Sequence, residues 1–359
     1  MKKVLLVDDS ALMRRVLCDI IDSDERFHVA DRATNGEEAL ELLKRKEYDV
    51  VILDVNMPKM NGLELLKALK VNRIKTRVVM ASTDTKEGAK TTLDALSLGA
   101  IDFIHKPSNP IECKNGVFNT KLIRIISTVC DCKETVFEEE NQEAKIASAE
   151  TVHKLVELAR KANKTSNVKQ IVAIASSTGG PRALQEVIPK LPASLNAPVV
   201  LVQHMPAGFT KTLAERLDDL SDIKVSEAVD GETLECGHVY IARGGKHMNV
   251  DSVAGKFKIR YSDEPTREGV KPSANYMYES LGEGIAQKVV CVVLTGMGAD
   301  GTAGIRNLKK TKNTYVITQN EASCTVYGMP KSTVNAGLSD LTVPLDTVAQ
   351  EIIMNVGVN

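Results

Sequence analysis

At 359 residues the chain is too long for one hydrophobic core of ordinary size and divides naturally into two. Its 46 basic and 47 acidic residues leave a formal charge of -1, which excludes the extended positive field that holds nucleic acid or anionic lipid. A DNA-binding output domain is excluded with it, since no basic recognition helix or helix-turn-helix pattern is present. The seven cysteines are scattered, and only Cys130 and Cys132 lie close together, without a second ligand pair, so reduced thiols are expected rather than a zinc site. Met1-Lys2-Lys3-Val4 opens a strand pattern without a signal-peptide core, and no apolar run reaches membrane-spanning length. The expectation is a soluble, cytoplasmic protein with no direct membrane insertion.

From residue 1 to 125, short apolar runs alternate with amphipathic stretches, the signature of a parallel sheet with crossover helices. Five runs are visible: Val4 to Val7, a weaker one at His28 to Ala33, then Val50 to Leu53, Arg77 to Ala81 and Ile101 to His105. Between them Met13, Val16, Leu17, Ile20 and Ile21 fall at helical spacing, as do Ala39, Leu40 and Leu43, and Leu63, Leu66 and Leu69. This predicts a flavodoxin-like (βα)5 domain. Residues 126–168 change character, with Glu134, Glu138, Glu139, Glu140 and Glu143 followed by a Lys/Ala-rich segment, and read as a linker with some helix.

A second α/β alternation fills residues 169–359, with strands at Ile171 to Ala175, Val199 to Gln203, Val289 to Leu294 and Tyr315 to Thr318, and helices starting near Pro181, Phe209, Ser273 and Asp300. The glycine-broken stretch from Val225 to Ser262 predicts a small antiparallel excursion within a doubly wound, mainly parallel α/β domain.

In open parallel sheets functional groups gather beyond the carboxyl ends of the strands. In the first domain Asp8 and Asp9 follow the first strand, Asp54 ends the third, Ser82 the fourth, and Lys106 with Pro107 the fifth. Carboxylates forced together need a compensating cation, and hard oxygen ligands suit Mg2+. An Asp9-Ser10 pair alone could equally be a helix cap; all five positions at successive strand ends are much harder to obtain by accident. Through VLLVDDS, VILDVNMPKMNG, VVMAST and IDFIHKP, this region resembles the response-regulator receiver family. The resemblance implies that Asp54 accepts phosphate from a histidine kinase while Asp8, Asp9, Asp54 and the Asn56 carbonyl hold Mg2+. It further implies that Ser82 and Lys106 meet the phosphoryl oxygens and that Phe103 is the switch aromatic. Asn61 departs from the aspartate common in the family, at a position outside the metal pocket.

In QIVAIASSTGGPR a strand meets a tight Ser/Thr/Gly turn and then a helix with Pro181 in its first turn. The turn could lift a nucleophilic hydroxyl, cradle an anion, or let Ser176, Ser177 or Thr178 cap the helix. It matches neither GxGxxG nor GxxxxGK[ST], and it lacks the GxSxG elbow. His204 closes the strand of VVLVQHMP and Asp300 follows that of VVLTGMGADG, so a serine, a histidine and an aspartate stand beyond three strand ends in an order unlike the familiar hydrolase orders. The other histidines of this domain, His238 and His247, read as lying in less strand-like contexts.

Through ASSTGGP, QHMPAGFT, DGETLECGHVYIARGGKHM, LTGMGADG and QNEASCTVYGMP, residues 169–356 resemble the catalytic domain of the chemotaxis protein-glutamate methylesterase family. The resemblance implies Ser177 as nucleophile, selected over Ser176 by register against Thr-Gly-Gly, with His204 as general base and Asp300 as its orienting partner. Thr178 and Met297 match the positions of the oxyanion hole. The implied substrates are glutamate methyl esters on the cytoplasmic helices of transmembrane chemoreceptors, with receptor-glutamine deamidation as a further activity in some members and no cofactor for the esterase domain. Phosphorylation would act by uncovering the triad. The alternative is a response regulator whose output domain binds a ligand or partner without catalysis.

Overall fold

A computed structural model of the chain describes residues 1–82, 86–106, 116–132 and 169–359. Pro107 and the acidic run of the expected linker lie outside the described residues. The chain forms two units, Met1–Glu140 and Asn141–Asn359.

In the first unit the continuous apolar runs Val4 to Val7, Val50 to Leu53 and Val78 to Ala81 become strands buried on both faces, while the run at His28 to Ala33 forms an edge strand with exposed positions. The strands are β1 (Lys2–Val7), β2 (Phe27–Ala33), β3 (Val50–Asp54), β4 (Val78–Ser82) and β5 (Asp102–His105). All pair in parallel in the order β2-β1-β3-β4-β5. The helices are α1 (Ala11–Asp22), α2 (Gly36–Arg45), α3 (Gly62–Val71), α4 (Lys86–Ser97) and α5 (Val117–Asp131). α1 packs with α5, and α2 with α3 and α3 with α4, so apolar stripes cover the two faces of the sheet. The strand order reverses between β1 and β3, which sets Asp8 and Asp54 side by side at the crevice. α5 continues to Asp131, past the boundary expected at residue 125.

The second unit is built on a seven-stranded sheet ordered β14-β13-β12-β6-β7-β9-β8, with every pairing parallel. Its strands are β6 (Gln170–Ser176), β7 (Val199–Gln203), β8 (Lys224–Glu227), β9 (His238–Ile241), β12 (Lys288–Val293), β13 (Asn313–Gln319) and β14 (Leu341–Val343). β10 (His247–Val253) and β11 (Lys256–Ser262) form a separate antiparallel hairpin. The antiparallel excursion is therefore narrower than Val225 to Ser262, because β8 and β9 join the edge of the parallel sheet. Four-residue strands between glycines look alike whichever way they pair. His238 and His247, read as lying in less strand-like contexts, begin β9 and β10 and are buried.

The helices of this unit are α6 (Gly180–Val187), α7 (Phe209–Asp219), α8 (Ala274–Leu281), α9 (Thr302–Leu308), α10 (Met329–Asn335) and α11 (Leu345–Val356). Strands succeed one another outward from β6 through β7 on one side and from β12 through β13 and β14 on the other, so the crevice of this sheet lies between β6 and β12. Beneath it Tyr278 is fully buried, and its hydroxyl donates to the Val292 carbonyl at 3.0 Å, which satisfies the one polar atom of a large core side chain. Among the described residues no helix is long and apolar enough to cross a membrane.

Candidate functional site

In the first unit Asp8 and Asp54 are 1% and 5% exposed, and Asp9 is exposed beside them. One carboxylate oxygen from each lies within 4.8 Å of the others, while Lys106 Nζ sits 2.7 Å from Asp54 Oδ1 and 3.1 Å from Asp8 Oδ2. Three carboxylates against one ammonium leave a negative surplus, and the donors are all hard oxygens, a set that fits a divalent cation such as Mg2+. Burial pushes the Asp54 carboxyl above its ordinary value despite Lys106, with Asp8 adding to the rise, so the ionised form has room for further positive charge.

The local sequence fixes these positions. Ser10 caps α1, its hydroxyl accepting from the Met13 N–H, and thereby ties the turn that carries Asp8 and Asp9. Gly62 passes so close to the Asp54 carbonyl that a Cβ would collide with it. Asn61 caps α3 in a capping box with Glu64, a role that an aspartate fills equally well. Ser82 is fully buried at the end of β4, Asn56 is exposed in the bend after β3, and Phe103 is buried in β5 as part of the core.

In the second unit Ser177 and His204 each follow the last residue of adjacent parallel strands in which Ser176 pairs with Gln203. Neighbouring strands run about 4.8 Å apart, so the two side chains leave the sheet within reach of one another. The His204 N–H donates to the Ser176 carbonyl at 3.2 Å. Among the described residues no hydrogen bond joins the Ser177 hydroxyl to His204, a contact that commonly tightens only with substrate bound. The two serines are nevertheless distinct: Ser176 is fully buried and donates its hydroxyl to Gln203 Oε1 at 2.7 Å, whereas Ser177 is half-buried at the crevice.

His204 Nε2 lies 2.8 Å from Asp300 Oδ2. That bond requires the proton of a neutral ring on Nε2, which leaves Nδ1 as the ring's acceptor. Asp300 is 2% exposed and is held further by Ser273 Oγ at 2.7 Å, the Ala274 N–H at 2.6 Å and the Asn275 N–H at 3.1 Å. Burial alone would push its carboxyl up. The His204 hydrogen bond and charge, then Ser273 and the Ala274 N–H, outweigh that and hold it below its ordinary 3.8. The carboxylate thus caps α8 from outside the helix, where unpaired N–H groups and the helix dipole favour an anion. Asn275 returns the favour, its Oδ1 accepting from the Gly301 N–H at 3.1 Å and the Gly304 N–H at 2.7 Å at the start of α9. His247 is buried one step further out, its Nδ1 accepting from the Ser273 N–H at 3.1 Å.

Thr178 and Met297 stand on segments joined by Thr295. The Thr295 hydroxyl donates to the Thr178 carbonyl at 3.0 Å, its carbonyl accepts from the Ser177 N–H at 3.0 Å, and its own N–H donates to Gln319 Oε1 at 2.7 Å. Gly296, beside Met297, is anchored to Val326, Gly328 and Met329 by backbone bonds. Sequence reasoning did not single out Gln203, Ser273, Asn275, Thr295 or Gln319. Three of them lie inside quoted motifs, Gln203 in QHMPAGFT, Thr295 in LTGMGADG and Gln319 in QNEASCTVYGMP, and those strings were the available signal.

Residues 4–117 match the response regulator receiver domain and residues 172–352 match the CheB methylesterase family. Fold and matches define the class: a two-component response regulator whose second domain is an esterase. A protein-glutamate methylesterase/protein-glutamine glutaminase of Geobacillus kaustophilus is 42% identical over 357 residues, spanning 99% of both chains. The Bacillus subtilis protein of the same description is 41% identical over 353 residues, spanning 98% of both. The crystal structure of the Thermotoga maritima CheB methylesterase catalytic domain is similar with a TM-score of 0.51 and 41% identity, covering 53% of this chain and all of that one. The chain belongs to the CheB family of protein-glutamate methylesterase/protein-glutamine glutaminases.

Proposed function

We propose that this chain hydrolyses glutamate methyl esters on the cytoplasmic helices of chemoreceptors, with Ser177 as nucleophile, His204 as general base and Asp300 as its orienting partner. The observation that carries the reading is the 2.8 Å pairing of His204 with an Asp300 carboxylate that is itself held by three other donors. A carboxylate fixed this firmly sets the imidazole tautomer and stabilises the imidazolium when the ring takes the serine proton.

Ser177 Oγ adds to the ester carbonyl as its proton passes to His204 Nδ1, giving a tetrahedral oxyanion. Backbone N–H groups at Thr178 and Met297 receive that charge, which is usually the largest single contribution to such a reaction. His204 returns the proton to the departing methoxide, and methanol leaves an acyl-enzyme. Water, deprotonated by His204, adds to the acyl carbon, and collapse restores Ser177 and frees the glutamate. A glutamine substrate follows the same course with ammonia departing in the first half, which accounts for the paired activities in the relatives' names.

In the receiver Asp54 takes the phosphoryl group from a histidine kinase, and Ser82 and Lys106 bind its oxygens. Asp8, Asp9, Asp54 and the Asn56 carbonyl would hold Mg2+, which supplies positive charge to the phosphoryl oxygens. Phosphorylation then raises esterase turnover by shifting the chain toward its active population.

The test is methanol release from methyl-labelled receptor membranes by the whole chain, with and without a small phosphodonor. Stimulation that Asp54→Asn abolishes supports the regulatory half. Full turnover by Ser177→Ala would sink the catalytic half.

A further inference from the structure

Gln203, the last residue of β7, is 2% exposed, and its amide is engaged on every side. Its Oε1 accepts from Ser176 Oγ at 2.7 Å, while its Nε2 donates to the Ser177 carbonyl at 2.9 Å and approaches the His204 carbonyl at 3.5 Å. One side chain therefore touches the residue before the nucleophile, the nucleophile's own carbonyl and the backbone of the base. The network also fixes which way the amide points, since the flipped orientation would set Oε1 against two carbonyl oxygens.

Space for this arrangement comes from Gly180 at the start of α6, where a Cβ would strike Gln203 Oε1. The Gly180 N–H meanwhile donates to the Ser177 carbonyl at 2.7 Å, so that carbonyl receives two donors, one from the helix start and one from Gln203. A buried carbonyl in a tight turn holds one orientation when both lone pairs are used, and the Cα that carries the Ser177 hydroxyl turns with it.

Building on the triad reading, we propose that Gln203 is a positioning residue for ester hydrolysis, an amide strut that sets the Ser177 turn against the His204 turn at the ends of β6 and β7. The inference extends to Ser176. Its hydroxyl is the strut's anchor rather than a rival nucleophile, and this explains why two adjacent serines stand at one turn with different burial. Because the strut touches neither substrate nor the reacting atoms, its loss affects the geometry of attack and leaves receptor binding intact. Misplacement of a reacting group by about 1 Å can cost roughly a hundredfold in rate.

The experiment uses the full chain with methyl-labelled receptor membranes and compares Gln203→Glu, Gln203→Met and Ser176→Ala with the parent, with Ser177→Ala as reference. Gln203→Glu keeps the shape and replaces the donor with a carboxylate facing two carbonyls, and Gln203→Met keeps the bulk and removes every hydrogen bond. Folding is checked by thermal melting, and kcat and KM are read at a temperature where each variant is folded. The expected result is a kcat lowered roughly ten- to a hundredfold in both Gln203 variants with KM within about twofold, and a loss of a few-fold in Ser176→Ala. Folded Gln203 variants with parental kcat, or with KM raised and kcat unchanged, would overturn the inference. Should neither Gln203 variant fold, Ser176→Ala decides alone, a reduced kcat at constant KM supporting the strut and a parental kcat refuting it. Turnover surviving in Ser177→Ala would instead count against the triad itself.

Discussion

Both units place their reactive groups beyond the carboxyl ends of parallel strands at the point where strand order reverses, but they hold those groups by different forces. The receiver gathers like charges, with Asp8, Asp9 and Asp54 balanced in part by Lys106 at 2.7 and 3.1 Å. In the esterase unit the buried Asp300 carboxylate is wrapped in donors, His204 among them, and the nearby turns are tied by Gln203, Thr295 and Gln319. A site proposed to accept a phosphoryl group and a metal carries a surplus of negative charge. A site proposed to move a single proton has its orienting carboxylate and its supporting turns hydrogen-bonded in advance.

The sharpest break between the two is functional. Ser177→Ala should lower methanol release by at least about a thousandfold while leaving phosphate incorporation at Asp54 intact. Asp54→Asn should do the reverse, removing phosphate incorporation and leaving the basal esterase rate unchanged. Loss of both activities in either variant would mean that the two sites are not chemically separate.

A smaller effect probes the charge balance of the receiver. Lys106→Met leaves two buried carboxylates facing each other and should destabilise that unit by about 3–5 kcal/mol, read as an earlier first transition in urea unfolding. An unchanged transition would mean that the lysine does not offset the cluster.

In the esterase unit the corresponding change is Asp300→Asn, expected to cost about 1–3 kcal/mol near neutral pH through lost charge-assisted hydrogen bonds. Its pH dependence has a definite sign. Because the folded carboxyl is held below its ordinary value of 3.8, its stabilisation is fully present above that value and is lost as pH falls through the folded one. The gap between parent and variant should therefore narrow in acid, and a gap that widens would contradict the hydrogen-bond account.

The smallest effect separates a cap from a ligand. Asn61→Ala should cost about 1 kcal/mol of receiver stability through the lost capping box and leave Mg2+ affinity unchanged. Weakened Mg2+ binding, measured by calorimetry, would show that Asn61 belongs to the metal site after all.

Most site positions were legible because each terminates or closely follows an apolar run, as Asp8, Asp54, Ser82, Ser177, His204 and Asp300 do. The supporting residues were not, for physical reasons. Ser273 and Asn275 act on Asp300 across separations of 27 and 25 residues, from a helix start that periodicity places but does not aim. Gln203 reads as the polar end of a strand, and only the pairing of Ser176 with Gln203 reveals what its amide touches. The parallel course of β8 and β9 was hidden because four-residue strands carry no signal of their partner's direction.

The claim on which the account rests is that Ser177, His204 and Asp300 act as one unit. Methanol release from methyl-labelled receptor membranes, measured for Ser177→Ala, His204→Ala, Asp300→Ala and the triple variant, tests it directly. Residues that act together give losses that do not multiply, so the Ser177 and His204 variants should each fall nearly as far as the triple, with Asp300→Ala somewhat less affected. Losses that multiply across the three positions, or a His204 variant that retains parental turnover, would contradict it.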